Sequence, residues 1–234
     1  MYETLEQNSR LGLVQMNVVI LAAGKGRRYN AKAPPEYQTL TKCLLPLNGE
    51  TILARQLRLL TNVGLTDVTV VVPPEFPFSN YDTKYLVDTL PNFPTSTTWS
   101  VRKCTHFFKR SGTMILMGDA VFPESTLHEI LTKQYNDILF VVTQIPVAWT
   151  RIKGENVPSR YGLDEGYMVL LRDNGVDKFT KYLATAPTQD GRGIHYIAGK
   201  MRNVELYYPK GYIRDVDTWR ELEEVKDWIN KSKE

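Results

Sequence analysis

The sequence predicts an α/β fold, a three-layer sandwich with helices on both faces of a mixed, mainly parallel sheet. Three observations carry this. The runs 17–21, 67–72, 113–117 and 138–143 are short, β-branched and almost wholly apolar, as strands covered on both faces must be. Amphipathic stretches long enough for helices separate them. The first and third runs lead straight into glycines, Gly24 and Gly118, so the chain can turn tightly at the strand ends.

Taken in order, the strand Asn17–Leu21 is followed by a long polar loop with glycines and prolines, from Ala22 to about Thr41. Ile52, Leu53, Leu57 and Leu60 then mark one side of a helix. The second strand is stopped by Pro73 and Pro74, and helices are expected near 81–90 and 100–110. The third strand runs into Gly118, Asp119 and Ala120. Pro123 and Glu124 open the next helix, placing a proline and an acid in its first turn. Beyond the fourth strand, the stretch 145–210 is less regular. It holds an apolar piece at 167–171, helices near 176–184 and 194–202, and a strand at 204–208. Thr218 and Glu221 form a Thr-x-x-Glu capping box, and Leu222, Val225 and Ile229 give the closing helix its apolar face.

A chain of 234 residues suits one full-sized core. Hydrophobic content of 42% and charged content of 24% exclude a disordered chain. No apolar run approaches the roughly 20 residues that cross a bilayer, and the first 15 residues lack the cationic start and apolar segment of a signal peptide. A cytoplasmic protein without membrane partners is expected. Cys43 and Cys104 cannot build a disulfide framework and read as reduced packing residues. His106, His128 and His195 lack the spacing of a zinc site. The net charge of +3 is spread among mixed signs rather than gathered in the basic stripe of a nucleic-acid binder.

Four segments have chemical potential. In Leu21-Ala22-Ala23-Gly24-Lys25-Gly26-Arg27-Arg28, small residues allow close backbone approach, and the basic side chains add donors for phosphate. The loop reads either as a phosphate cradle or as a structural glycine turn. It is not a dinucleotide fingerprint, because Tyr29 stands three past Gly26 where GxGxxG needs glycine. Asp119 closes a buried strand, where a carboxylate faces the ligand crevice of an open α/β sheet and suits Mg²⁺. Asp215 and Asp217 precede the capped helix, and Asp217 has the alternative reading of a residue that only assists the cap. Ser100 opens a helical stretch, either as a cap or as a ligand contact.

LAAGKGRR (21–28) followed by KCLLPLNGETIL (42–53) resembles the opening of the nucleoside-triphosphate transferase family. That family spans sugar-phosphate nucleotidyltransferases, cytidylyltransferases and molybdenum-cofactor guanylyltransferases. The resemblance implies a nucleotide-diphospho-sugar transferase-like, Rossmann-like sheet. It further implies transfer of a nucleoside monophosphate from a nucleoside triphosphate, with CTP favoured, to a phosphorylated small-molecule acceptor. Pyrophosphate leaves. Arg28 would grip the triphosphate and Lys42 the α-phosphate. Leu21, Ala22, Ala23 and Gly24 would face the base and ribose, and Lys25 and Gly26 would wrap the outer phosphates. Asp119 would hold Mg²⁺ with Asp217 or Asp215, Asp217 being preferred because successive side chains on an extended segment face opposite sides. Ser100, with Thr97 or Thr98, would contact the base.

On the same footing, residues 1–15 are an N-terminal extension, 16–144 the nucleotide half, 145–214 the acceptor half and 218–232 the closing helix, all in one domain. Arg151, Lys153, Arg160 and Arg192 are candidate acceptor-phosphate contacts, and the resemblance leaves room for a homodimer. One departure stands out: Tyr29–Thr41 is longer and richer in proline than the family pattern. Two rival readings are a metal-dependent glycosyltransferase with Asp215-Val216-Asp217 as its metal motif, and a nucleotide-binding domain without catalysis.

Overall fold

The computed structural model describes residues 16–24, 26, 32–77, 81–88, 97–144, 164–186, 201 and 204–232. Seven strands form the central sheet: β1 (Asn17–Leu21), β4 (Val68–Val72), β5 (Lys84–Val87), β6 (Thr113–Met117), β8 (Ile138–Gln144), β9 (Asp164–Leu171) and β10 (Glu205–Tyr207). Their order is β10-β8-β9-β6-β1-β4-β5. Two short ribbons lie outside it: β2 (Pro46–Leu47) with β3 (Glu50–Thr51), and β7 (Ala120–Val121) with β11 (Arg214–Asp215). Five helices are present among the described residues: α1 (Ile52–Asn62), α2 (Thr97–Lys103), α3 (Glu124–Thr132), α4 (Asn174–Thr185) and α5 (Trp219–Ser232).

The sheet is mixed and mostly parallel. β1 lies parallel between β4 and β6, β4 pairs parallel with β5, and β8 pairs parallel with β10. Only β9, among the described strands of this sheet, runs antiparallel to its neighbours β6 and β8. Every residue of β1 and β4 is buried, which accounts for their sequences being apolar at all but Asn17 and Thr69.

The period of two along each strand divides the core. Val18 and Ile20 of β1 join Val70, Met114 and Leu139 beneath α1 and α3. Val19 and Leu21 turn the other way, toward Val101 of α2 and Phe179 and Leu183 of α4. A third cluster gathers Leu45, Leu47 and Val121 against Leu222, Val225 and Ile229 of α5. The closing helix therefore packs on the ribbons rather than on the main sheet, and its capping box forms: Thr218 donates to Glu221 at 2.9 Å, and the Glu221 amide donates to Thr218 at 3.3 Å.

Two expected helices need correction. The segment near 81–90 contains strand β5, paired from Thr69–Lys84 to Val72–Val87. Tyr81 and Tyr85, four residues apart, imitate a helical stripe. The unpaired edge of β4 wins the segment, because its backbone groups need partners that a helix would not supply. The helix near 100–110 begins earlier, at Thr97, and ends at Lys103, with a single 3-10 turn at Thr105–Phe107. There the buried Asn17 amide donates to the Phe107 carbonyl at 2.8 Å, holding the chain to the bottom of β1. The helix expected near 194–202, apart from Met201, and residues 1–15 lie outside the described residues.

Candidate active site

Parallel strands that enter the sheet side by side deliver their C-terminal ends to one crevice. Here β1 and β6 deliver Leu21 and Met117, paired in register. The loop after β1 stays close: the Ala22 amide donates to Val71 at 2.8 Å, and the Gly118 amide donates to Leu21 at 3.0 Å. Gly118 has no room for a side chain, since a Cβ would lie 2.8 Å from the Leu21 carbonyl oxygen and 2.9 Å from Ala22. Gly26 has a φ of +56°, in the left-handed region that favours glycine. Leu21, Ala22, Ala23 and Gly24 form one wall of a cleft; Met117, Gly118 and Asp119 form its end, Lys42 and Cys43 its second wall, and Thr97 and Ser100 its far side.

Lys42 stands at the start of a 3-10 turn, Lys42–Leu44, anchored by the buried side chains of Cys43 and Leu45. The long proline-rich loop that precedes it docks on the closing helix. Ala33 is buried, Gln38 donates to the Ala33 carbonyl at 2.8 Å, and the Tyr37 ring stacks on Trp219 with centroids 5.4 Å apart. The added length is thereby taken up against α5, and Lys42 reaches the cleft.

Asp119 follows β6 one residue on, after Gly118, while Asp215 ends β11 and Asp217 lies two residues beyond it. The ribbon fixes their meeting, because Asp215 pairs with Ala120 and the Val216 amide donates to the Asp119 carbonyl at 3.1 Å. Val216 is buried in the third core cluster, so its neighbours on both sides turn away from that core. Alternate residues of an extended segment share a face, and both Asp215 and Asp217 join Asp119, with one carboxylate oxygen of each within 4.8 Å of the others. The preference for Asp217 over Asp215 has no basis in side-chain direction. Asp217 is the more buried, and its amide donates to Glu221 at 2.9 Å, extending the capping box into the site.

Lys42 Nζ donates to Asp119 Oδ2 at 2.9 Å and to Asp217 Oδ1. Burial alone would lower the lysine's pKa, but the charges and hydrogen bonds of Asp119 and Asp217 outweigh it and raise it above the usual value. The ammonium therefore stays charged throughout the physiological range. Burial, reinforced by Asp119, pushes the Cys43 thiol up to about 12, and burial with Asp88 does the same for Cys104. Both are inert packing thiols at neutral pH.

At the far side, Ser100 donates to Asp88 Oδ2 at 2.7 Å, and Lys103 lies 3.1 Å from Asp88 Oδ1. The Asp88 side chain is fully enclosed. Thr97 lines the cleft; Thr98 is buried in α2 and is not among the lining residues. Asp88 escapes the sequence reading because it ends β5, which reads as helix. Lys25, Arg27, Arg28, Arg151, Lys153, Arg160 and Arg192 lie outside the described residues.

The donor chemistry of the acidic cluster fits a hard divalent cation. Three carboxylates converge, and the cation that lies among them, the Lys42 ammonium, shows the charge that the cluster attracts. Among the described residues no helix is long and apolar enough to cross a membrane.

Known structures share this architecture. An inositol-1-phosphate CTP transferase from T. maritima superposes with a TM-score of 0.65 at 11% identity, over 92% of this chain and 96% of that one. A proposed glucose-1-phosphate thymidylyltransferase from Bacillus anthracis gives 0.64 at 16% identity, over 91% and 94% of the two chains. The CTP:phosphocholine cytidylyltransferase of Streptococcus pneumoniae gives 0.61 at 13% identity, over 92% and 99%. No curated protein matches the sequence. The model of the MobA-like NTP transferase domain matches residues 18–234, from the second residue of β1 past the end of α5. The chain belongs to the MobA-like NTP transferase domain family and is a nucleotidyltransferase.

Proposed function

We propose that the protein transfers the nucleoside monophosphate of CTP to a phosphorylated small-molecule acceptor, a sugar phosphate or phospho-alcohol, with release of pyrophosphate. One observation carries the reading: Lys42 is held by Asp119 and Asp217 at the point where the β1 loop and the β6 end meet. A lysine and a carboxylate cluster so placed can serve the α-phosphate of a triphosphate lying along Leu21–Gly26.

Asp119, Asp215 and Asp217 would hold Mg²⁺. The ion, when bound, would offset phosphate charge and order the triphosphate. Lys42, held now by the carboxylates, would donate to an α-phosphate oxygen, with Arg28 supplying the second cationic contact that the family resemblance assigns to it. The acceptor phosphate is already ionised near neutral pH, so its oxygen attacks the α-phosphorus in line without a general base, and pyrophosphate departs. The residues contribute positioning and charge stabilisation.

Ser100 supports CTP. Its hydroxyl proton is committed to Asp88, which leaves the oxygen of this cleft-lining residue as an acceptor. Lone pairs accept from the exocyclic amine of cytosine and have no donor to meet on the corresponding carbonyl of uracil. Two of the similar structures are named for reactions with CTP. The deciding experiment combines CTP, UTP, ATP and GTP with a panel of phosphorylated acceptors and Mg²⁺, reading pyrophosphate release. Turnover with CTP and one acceptor class is expected. Release of a nucleoside diphosphate from added nucleotide-sugars, with no turnover of triphosphates, would indicate glycosyl transfer instead, and tight triphosphate binding without turnover would indicate a non-catalytic domain.

A further inference from the structure

Gln56 is a polar residue on the buried face of α1, 2% exposed and flanked by Ile52, Leu53, Leu59 and Leu60. Its amide nitrogen donates to the Met117 carbonyl at 2.9 Å and to the Ala120 carbonyl at 2.7 Å. These two carbonyls bracket Gly118 and Asp119. Because both partners are acceptors only, the amide can face them in one orientation, nitrogen toward the turn. The other end of the amide, Oε1, makes no hydrogen bond among the described residues. An apolar side chain of the same shape would fill the space without enclosing an unsatisfied oxygen. Packing therefore does not explain a glutamine here; the two bonds to the turn do.

The turn needs such a clamp. Met117 ends a strand of the seven-stranded sheet, and Ala120 begins the ribbon that brings Asp215 alongside. Without a bridge across it, Asp119 would sit on the hinge between two independently hydrogen-bonded units. The amide spans that hinge with one donor on each side, and Gly118, pressed on the Leu21 carbonyl, closes the opposite side. We propose that Gln56 is a positioning residue for the divalent cation site: it fixes the Asp119 carboxylate relative to Asp215 and Asp217 without touching ligand itself. The inference rests on the proposed metal role of these aspartates.

The test uses Mn²⁺ as the probe, titrated into the full chain and read by the loss of free-ion signal in electron paramagnetic resonance, with no substrate present. Asp119→Asn first assigns the wild-type binding to this site. Gln56→Met keeps length and removes both donors, and it should weaken Mn²⁺ binding by about 10- to 100-fold, the range for losing an outer-shell support of a metal ligand. Gln56→Asn keeps the amide but loses reach, should bind at an intermediate level, and serves if the Met variant does not fold. Leu60→Val, buried on the same helix one turn beyond Gln56 and offering no donor to the turn, should leave the affinity unchanged although it lowers the melting temperature. A folded Gln56 variant that binds within twofold of wild type overturns the positioning role alone. Wild-type binding that Asp119→Asn does not weaken overturns the metal site as well.

Discussion

The two ends of the cleft each set a lysine against aspartate, and they differ in stoichiometry. At one end Lys42 meets Asp119 and Asp217, with Asp215 close by. At the other, Lys103 and the Ser100 hydroxyl share the single carboxylate of Asp88, and the lysine also lies 5.7 Å above the Trp99 ring. A lysine facing one aspartate makes a balanced pair whose value lies in orienting its neighbours. Several carboxylates crowded round one ammonium repel one another and gain from a second, more highly charged cation. One corner is built to orient; the other is built to receive.

The sharpest way to break that distinction is to remove each lysine-aspartate partner in turn. Asp119→Asn and Lys42→Ala should each lower turnover by about 10²- to 10³-fold, the scale of one group acting on transition-state charge. They should part company in Mn²⁺ binding without nucleotide: Asp119→Asn weakens it, whereas Lys42→Ala, which removes the competing ammonium, strengthens it. Equal weakening by both would place Lys42 among the supports of the cation rather than its rivals. At the far corner the effect is smaller and falls on selectivity. Ser100→Ala and Asp88→Asn should lower the ratio of kcat/KM for CTP over UTP by about tenfold, the equivalent of one neutral hydrogen bond. A smaller effect still is expected from Thr218→Ala. Loss of the cap should cost about 1 kcal/mol in denaturant unfolding, since Glu221 keeps its bond from the Asp217 amide.

The same contrast explains what could be read from sequence. The receiving corner is built from central strands, whose uninterrupted apolar runs and trailing glycine or acid announce themselves; β1 and β6 have the expected bounds. The Thr218 to Glu221 spacing likewise encodes a local bond. What was illegible is long-range. Lys42 meets carboxylates 77 and 175 positions away, and no local pattern records that a 3-10 turn and a docked loop aim it there. Gln56 hides among helix-favouring residues, its partners visible only once the sheet is assembled. The orienting corner was lost with β5, an edge strand whose two tyrosines mimic helical spacing; pairing with β4, not intrinsic preference, decides its form.

The two glycines of the cleft carry different obligations. At Gly118 the forbidden volume is filled by the protein itself, by the Leu21 carbonyl and Ala22. At Gly24 a Cβ would meet nothing within 4 Å among the described residues. The first glycine answers to the architecture and is closed to redesign. The second lines the cleft without pressing on any described residue, so the size of the side chain tolerated there would measure the guest rather than the host. Position 24 is thus a natural gauge of how near a bound molecule comes to the backbone, and a handle for admitting a smaller one.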